Sequence, residues 1–202
     1  MAVSKDMNEL TIKEVAQLAG VTVRKVEKSC EEGVVHKRKR LGSLIRRSVY
    51  CVPVEAVAYN ATLSRCTNIA PNKIVKKRLW SILRSSGRID SSLGVADLGD
   101  GLLLNLETIA GAEWVNALRY ASLRNENLVS DPSILGGEPV IRGTRITCRS
   151  VKGRIDAGDT IEDLVEECNG DIPTEVFEAA LTYANSHPVR GRPELGKPWR
   201  ET

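Results

Sequence analysis

Apolar residues between positions 11 and 33 recur at helical spacing in two short segments. Thr11 stands at the N-cap position of the first segment, and Glu14, three residues later, completes the sequence pattern of a capping box. Thr22 stands at the N-cap position of the second segment, and Gly20 between them permits a left-handed turn. The pattern therefore predicts two helices joined by a tight turn, which is typical of a helix-turn-helix.

The second helix and the segment after it carry the candidate DNA contacts, because a helix-turn-helix offers the N-terminal side chains of its second helix to the major groove. A basic run at 36–40 is followed by Arg46, Arg47 and a β-prone stretch at 48–52, which predicts a wing that straddles phosphates. Taken alone, such a charge run is equally typical of a solvated loop. The candidate DNA-binding residues are Thr22, Arg24, Lys25, Lys28, Lys37, Arg38, Lys39, Arg40, Arg46 and Arg47.

Two further helices are predicted in the front half of the chain. Pro53 is expected to begin a short helix that runs through Tyr59. Residues 72–85 place apolar side chains, Ile74 among them, on one side of a helix and basic side chains on the other. The basic side either touches DNA or is solvated while the helix has a structural role, and we favour the second interpretation.

The middle of the chain gives a weaker signal. Residues 88–100 are rich in Ser, Gly and Asp and indicate a linker or loop, and residues 102–106 indicate a buried strand. Residues 112–123 predict a helix whose inward side includes Trp114 and Val115.

Charge is divided unevenly along the 202 residues, although the net charge is only +3. Residues 1–88 hold 18 Lys and Arg against 7 Asp and Glu, whereas residues 89–188 hold 7 against 17. A strongly basic front half is typical of a protein that binds a polyanion, because each phosphate contact releases condensed counterions. We therefore expect the front half to bind nucleic acid.

Composition narrows the class of protein. No apolar run approaches the roughly 20 residues that cross a bilayer, and residues 1–10 lack a secretory leader pattern. The five cysteines form no C-x-x-C pair, so we expect no metal site and no cofactor. Aromatic residues amount to 4%, which favours an aliphatic, helical core. The expected location is the cytoplasm, without membrane contact.

A Pro- and Gly-rich stretch at 130–146 cannot be regular structure and indicates a hairpin-like arm that turns at Gly136 and Gly137. Three helices are predicted after it, near 150–157, 160–168 and 173–184. The polar residues of the arm allow three interpretations: a nucleotide site, which we disfavour because no general base accompanies it, an internal ion pair of Glu138 with one of two arginines, or a contact between subunits. These residues are Glu138, Arg142, Thr144 and Arg145.

Two resemblances to known families follow from these motifs. The sequence TIKEVAQLAGVTVR at 11–24, with EEGVV at 31–35, resembles the MerR-like winged helix-turn-helix family. The sequence DPSILGGEPVIRGTRI at 131–146 resembles a family of homeodomain-like tri-helical proteins of uncharacterised function, many of which act as antitoxins. The combination resembles the longer, two-domain VapB antitoxins.

The resemblance implies a mainly α fold, with an N-terminal winged helix-turn-helix and a C-terminal homeodomain-like tri-helical domain with an extended tail. It implies a non-catalytic antitoxin that neutralises a PIN-domain ribonuclease toxin, binds operator DNA as a homodimer and represses its own operon. A transcription regulator without a toxin partner is the alternative. The expected domains are 1–87 for DNA binding, 88–128 as a linker with a strand and a helix, 129–187 for the antitoxin family, and 188–202 as a toxin-binding tail.

The tail has no apolar periodicity and is predicted to be extended until it binds a partner. The resemblance names that partner: a guanidinium would pair with the carboxylates of the PIN-domain active site. A frayed terminus without a function is the alternative. The candidate toxin-binding residues are Arg190, Arg192, Leu195, Trp199 and Arg200.

Overall fold

A computed structural model describes residues 9–41, 44, 48–66, 71–86 and 93–188 of the chain. In these ranges the protein consists of eight α-helices and seven short β-strands. The predicted mainly α class is thereby confirmed. None of the helices in this described part is long and apolar enough to cross a membrane.

The first three elements are β1 (Glu9–Thr11), α1 (Ile12–Leu18) and α2 (Val23–Glu31). The Thr11 hydroxyl accepts a hydrogen bond from the Glu14 amide, and the Glu14 carboxylate accepts one from the Thr11 amide at 2.7 Å. Gly20 makes the turn at a φ of +61°, and the Thr22 side chain caps α2. The predicted helices, caps and turn are confirmed.

A hairpin of β2 (Arg38–Leu41) and β3 (Ser48–Pro53) follows, and β1 adds to it to give the antiparallel order β1–β3–β2. The prediction that Pro53 begins a helix is wrong, because Pro53 ends β3 opposite Glu9. The end of a strand tolerates a residue that lacks an amide hydrogen. The next helix, α3, runs from Ala56 to Arg65.

A first core forms where α3 is enclosed by α1, α2, α4 (Lys73–Ser86) and the long α5 (Leu106–Asn127). Small side chains allow α3 to be buried along its first seven residues, from 56 to 62. The hairpin of β4 (Val95–Asp97) and β5 (Leu103–Asn105) covers the end of this core. The largest side chains buried there are Leu10, Val15, Val26, Tyr59, Leu79, Leu83, Leu106 and Trp114.

Three apolar side chains predicted to face inward are exposed. Ile74 is 77% exposed, Val115 is 49% exposed, and Leu103, in the predicted buried strand, is 63% exposed. In α5 the stripe that faces the core passes through Trp114, Ala117 and Ala121, and this 3.6-residue periodicity leaves Val115 on the outer side.

A second core lies among the elements after α5. Strands β6 (Leu128–Val129) and β7 (Val140–Ile141) pair across the arm, which turns through a short 3-10 segment, Leu135–Gly137. Helices α6 (Cys148–Asp156), α7 (Ile161–Glu167) and α8 (Thr174–Ser186) follow and enclose Phe177 and Val151. The predicted arm and three helices are confirmed, and Thr160 forms a capping box with Asp163 at the start of α7.

The two cores are in contact. Helix α8 packs against α1 and α5, and its Ala179 belongs to the first core. In the opposite direction Leu44, from the loop between β2 and β3, is only 8% exposed and belongs to the second core. Each core thus contains a side chain that comes from the other half of the molecule.

Candidate nucleic-acid interface

Helix α2 presents its first turn to solvent. Val26 and Ser29 are buried and hold α2 on the core, and the Ser29 hydroxyl donates a hydrogen bond of 3.0 Å to Oδ1 of Asn60 in α3. Thr22, Arg24 and the two lysines of α2 are exposed. Because the first turn of α2 contains no acidic residue, the positive end of the helix dipole adds to these charges.

The three basic side chains of α2 differ in their surroundings. Arg24 lies back along the helix, where Nη1 is 2.7 Å from Glu31 Oε1 and 3.7 Å from Glu27 Oε2. The hydrogen bond to Glu31 raises the pKa of Arg24. Lys25 and Lys28 instead line a groove of about 230 Å³ between α2, α3 and α4. They are therefore better placed than Arg24 to contact a nucleic acid.

The same groove receives a basic side chain from α4. Lys76 lines it and pairs with Glu32 at 2.8 Å. This contact joins the beginning of α4 to the end of α2. Residues far apart in sequence thus line one groove, in which Glu32 balances the charge of Lys76. The spacing along the chain did not indicate this.

The basic run at 36–40 is divided between the two faces of the sheet. Arg38 and Arg40 face Glu9 of β1, with distances of 3.9 and 2.6 Å between the charged groups. Lys37 lies over the Tyr50 ring at 4.6 Å from its centre, and Lys39 pairs with Tyr50 in the strand register. The alternation of a strand therefore places Lys39 on the face opposite Arg38 and Arg40. Of the two arginines, Arg40 is closely paired with Glu9, whereas Arg38 stays 61% exposed. Arg46 and Arg47 lie outside the described residues.

Leu44, between β2 and β3, is buried. Leu44 packs in the second core with Leu128, Ile141 and Cys148. At this residue, the loop predicted as the end of a wing is attached to the other half of the molecule.

A buried polar cluster between α1 and α5 was missed by sequence reasoning. Glu14 is 1% exposed and accepts hydrogen bonds from Tyr120 Oη at 2.7 Å and from Arg124 Nη1 at 2.9 and 3.0 Å. Arg124 Nη2 also donates to the carbonyl of Glu9 at 2.8 Å. Burial alone would raise the pKa of the Glu14 carboxyl, but Arg124 and, less strongly, His187 hold it below its ordinary value.

His187, at the end of α8, extends this cluster. Its Nε2 lies 3.5 Å from the Thr11 hydroxyl, and its ring stacks on Tyr183 with 4.4 Å between the ring centres. Burial lowers the pKa of His187, so the ring is neutral at pH 7. The last described turn of the chain thereby touches the N-cap of α1.

The arm residues have structural contacts. The predicted pairing of Glu138 with Arg142 or Arg145 is wrong, because Glu138 pairs with Arg149 Nε at 3.0 Å. Arg142 Nε donates to the carbonyl of Glu126 at 2.7 Å. Arg149 is the second residue of α6, and the Cys148 amide before it donates to the Pro139 carbonyl of the arm at 2.9 Å. That the arm and the start of α6 are close in space was not evident from the motif.

A cavity of about 550 Å³ lies between α1, α6 and α8. Lys13, Arg149, Lys152 and His187 contribute to its walls. Cys148 also lines it, and burial raises the pKa of that thiol to about 12, so the sulfur stays protonated at neutral pH.

The tail residues predicted to bind a toxin, Arg190, Arg192, Leu195, Trp199 and Arg200, lie outside the described residues. Within the described ranges, no group of three His, Cys, Asp or Glu side chains is placed to hold a metal ion.

Comparison with known proteins gives two similarities, both confined to part of the chain. A curated uncharacterized protein, y4eO of Sinorhizobium fredii, is 39% identical over 67 residues, which are 33% of this chain and 30% of that protein. No solved structure matches this chain. Residues 128–184, from β6 to α8, match the model of a family described as a protein of unknown function (DUF433).

Proposed function

We propose that this chain is a DNA-binding antitoxin of a type II, VapBC-type pair, which represses its own operon and neutralises a PIN-domain ribonuclease. In this proposal α1, α2 and the β2–β3 hairpin act as a winged helix-turn-helix, and α6 to α8 form the tri-helical antitoxin domain. A homodimer reads a two-fold symmetric operator.

The observation that carries the DNA-binding part is the exposed N-terminal part of α2, where Lys25 and Lys28 line a groove whose third lysine, Lys76, is paired with Glu32. Exposed lysines beside a helix N-terminus suit phosphate contacts, which fix the position of a protein on the duplex. The basic excess of residues 1–88 supports the same assignment.

The DNA-binding part is tested with a Lys25→Ala/Lys28→Ala variant in gel shifts against the promoter of its own operon. Each lost phosphate contact should weaken binding and reduce the slope of log K against log salt by about one. Arg149→Ala/Lys152→Ala is the matched control, because it also removes two positive charges, from α6 side chains that pair with Glu138 at 3.0 Å and Asp156 at 2.8 Å. Equal losses in both variants would contradict the assignment to α2.

The antitoxin part is supported by the motif at 131–146 and by the composition of the tail. Deletion of residues 188–202 is expected to leave DNA binding intact and to abolish neutralisation of the toxin in co-expression. A truncated chain that still silences the toxin would refute the role of the tail.

A regulator that senses a ligand is the second candidate, and the cavity between α1, α6 and α8 favours it. A pull-down with the product of the neighbouring gene separates the two functions. Stable co-purification supports the antitoxin, and its failure alongside intact DNA binding supports the regulator.

A further inference from the structure

The three most exposed large apolar side chains of the described residues lie on neighbouring elements. They are Ile74 at 77%, Val95 at 64% and Leu103 at 63% exposure. Single exposed aliphatic residues are ordinary on a protein surface, whereas a contiguous group marks an interaction site.

Strand pairing places two of them side by side. Asp97 is directly opposite Leu103, and Val95 is opposite Asn105. Val95 and Leu103 are consequently diagonal neighbours on the outer side of the hairpin, roughly 7–8 Å apart in such a pair. Ala96 and Leu104 point to the other side, toward the core.

Helix α4 continues this surface. Arg78 Nη2 is 3.9 Å from Asp97 Oδ2, and Arg78 Nη1 lies over Gly99, 2.9 Å from where a Cβ would stand. Ile74 is one helical turn before Arg78 and therefore on the same side of α4. We call the surface of Ile74, Lys77, Arg78, Val95, Asp97 and Leu103 the α4–hairpin face.

Charge on and beside this face is arranged in two opposite groups. Lys77 is exposed on α4, whereas Asp100 is exposed at the turn of the hairpin with a φ of +52°. In a two-fold arrangement that sets α4 of one copy against the hairpin of another, the exposed Lys77 and Asp100 offer opposite charges on the two sides of the contact, twice. Such self-complementarity is what an isologous dimer interface requires.

The hairpin also has strand edges to offer. Within the described residues β4 and β5 pair with each other in a two-stranded sheet, so each strand has a second edge with backbone groups available for pairing. Apolar anchors, charges of both signs and an open edge together fit a protein surface better than a nucleic acid, whose backbone offers charges of one sign only.

We infer that a second copy of this chain binds the α4–hairpin face and that this contact forms the dimer. The inference deepens the proposed function, because a two-fold symmetric operator requires a two-fold symmetric protein. Ile74 and Leu103 are its apolar anchors, and Lys77 with Asp100 sets its register.

The test measures the mass of the full chain without DNA, by sedimentation velocity over a concentration series. The wild type should be a dimer, and Ile74→Asp/Leu103→Asp should raise the dimer dissociation constant by at least about 30-fold, as loss of central anchors does. Val115→Asp/Leu135→Asp is the matched control, because both residues are exposed apolar side chains on other surfaces. Circular dichroism spectra of both variants, compared with the wild type, check that they fold.

A charge pair provides a second, milder test. Lys77→Glu should weaken the dimer by repulsion from Asp100, and Asp100→Asn added to that variant should recover part of the affinity. Asparagine tolerates the left-handed backbone at this position, so strain does not obscure the comparison.

Each result of these measurements either supports the proposed dimer contact or overturns it. A monomeric wild type, a dimer that survives Ile74→Asp/Leu103→Asp, or additive effects at Lys77 and Asp100 would overturn the inference. Because no DNA is present, these results are independent of whether α2 binds an operator; a dimer that fails to bind DNA would refute the proposed function and leave the interface standing.

Discussion

Glu14 has two roles in one side chain. It closes the capping box of α1, and it accepts hydrogen bonds from Tyr120 and Arg124 of α5. The first role was predictable, because its partner is three residues away. The second was not, since its partners are 106 and 110 positions distant and no local pattern specifies such a contact.

Glu14→Gln is expected to destabilise the protein by about 3–5 kcal/mol, because it leaves the buried Arg124 without its counter-charge. Urea denaturation followed by circular dichroism measures the loss. Glu27→Gln is the control, since its ion pair with Arg24 is exposed and its loss should cost less than about 0.5 kcal/mol. Similar losses in the two variants would contradict the importance of the buried pair.

Acid should weaken the fold through His187 and then Glu14. Burial lowers the pKa of His187 from 6.5, so the unfolded chain takes up its proton first and the stabilisation present above pH 6.5 is lost as the pH falls below it. The pKa of Glu14 is also lowered, which adds a further loss below pH 4.5. His187→Gln should reduce the difference in urea midpoint between pH 7.5 and pH 5.5, whereas His36→Gln, an exposed site, should keep it.

Elements with their own boundary signals were predictable from the sequence. Helices α1, α2 and α7 begin at threonine caps, and the turn at Gly20 has the positive φ that favours glycine. Orientation was less predictable: the apolar content of α4 does not reveal that Ile74 faces outward, because that depends on which neighbours cover the helix. The hairpin β2–β3 was expected, but not its attachment through Leu44.

Leu44→Ala tests that attachment at the scale of the hairpin. A buried leucine that becomes alanine loses about 2–4 kcal/mol, and the loss should come with faster amide exchange in β2 and β3 than in the wild type. Leu135→Ala, at a position 57% exposed, should change neither. Unchanged exchange in β2 and β3 of the Leu44 variant would show that the loop is held by other contacts.

At the scale of the molecule, the two cores are not independent. Ala179 of α8 packs in the first core, Leu44 packs in the second, and His187 touches Thr11. Shared side chains couple the stabilities of neighbouring units. Charge, by contrast, separates the halves: the basic and acidic excesses were visible in the sequence, whereas the contacts between the halves were not.

This coupling predicts a single unfolding transition. Phe177→Leu, in the second core, should lower the midpoint reported by the fluorescence of Trp80 and Trp114 at the first core by as much as that reported by circular dichroism, with a loss of about 1 kcal/mol. Both proteins carry Trp199→Phe, which removes the fluorescence of the tail tryptophan. Two separate midpoints would show that the halves unfold independently.

The burial of Leu44 also has a consequence for how related chains evolve. The stretch similar to the DUF433 family, residues 128–184, completes its core with a side chain borrowed from a loop more than eighty positions upstream. A gene fragment that encoded this stretch alone would yield a protein with a vacancy in its interior. Chains that carry such a stretch without a preceding hairpin should therefore fill the space of Leu44 with a larger side chain of their own. Where the hairpin is present, Leu44 and the residues around it in the second core are expected to change together in evolution.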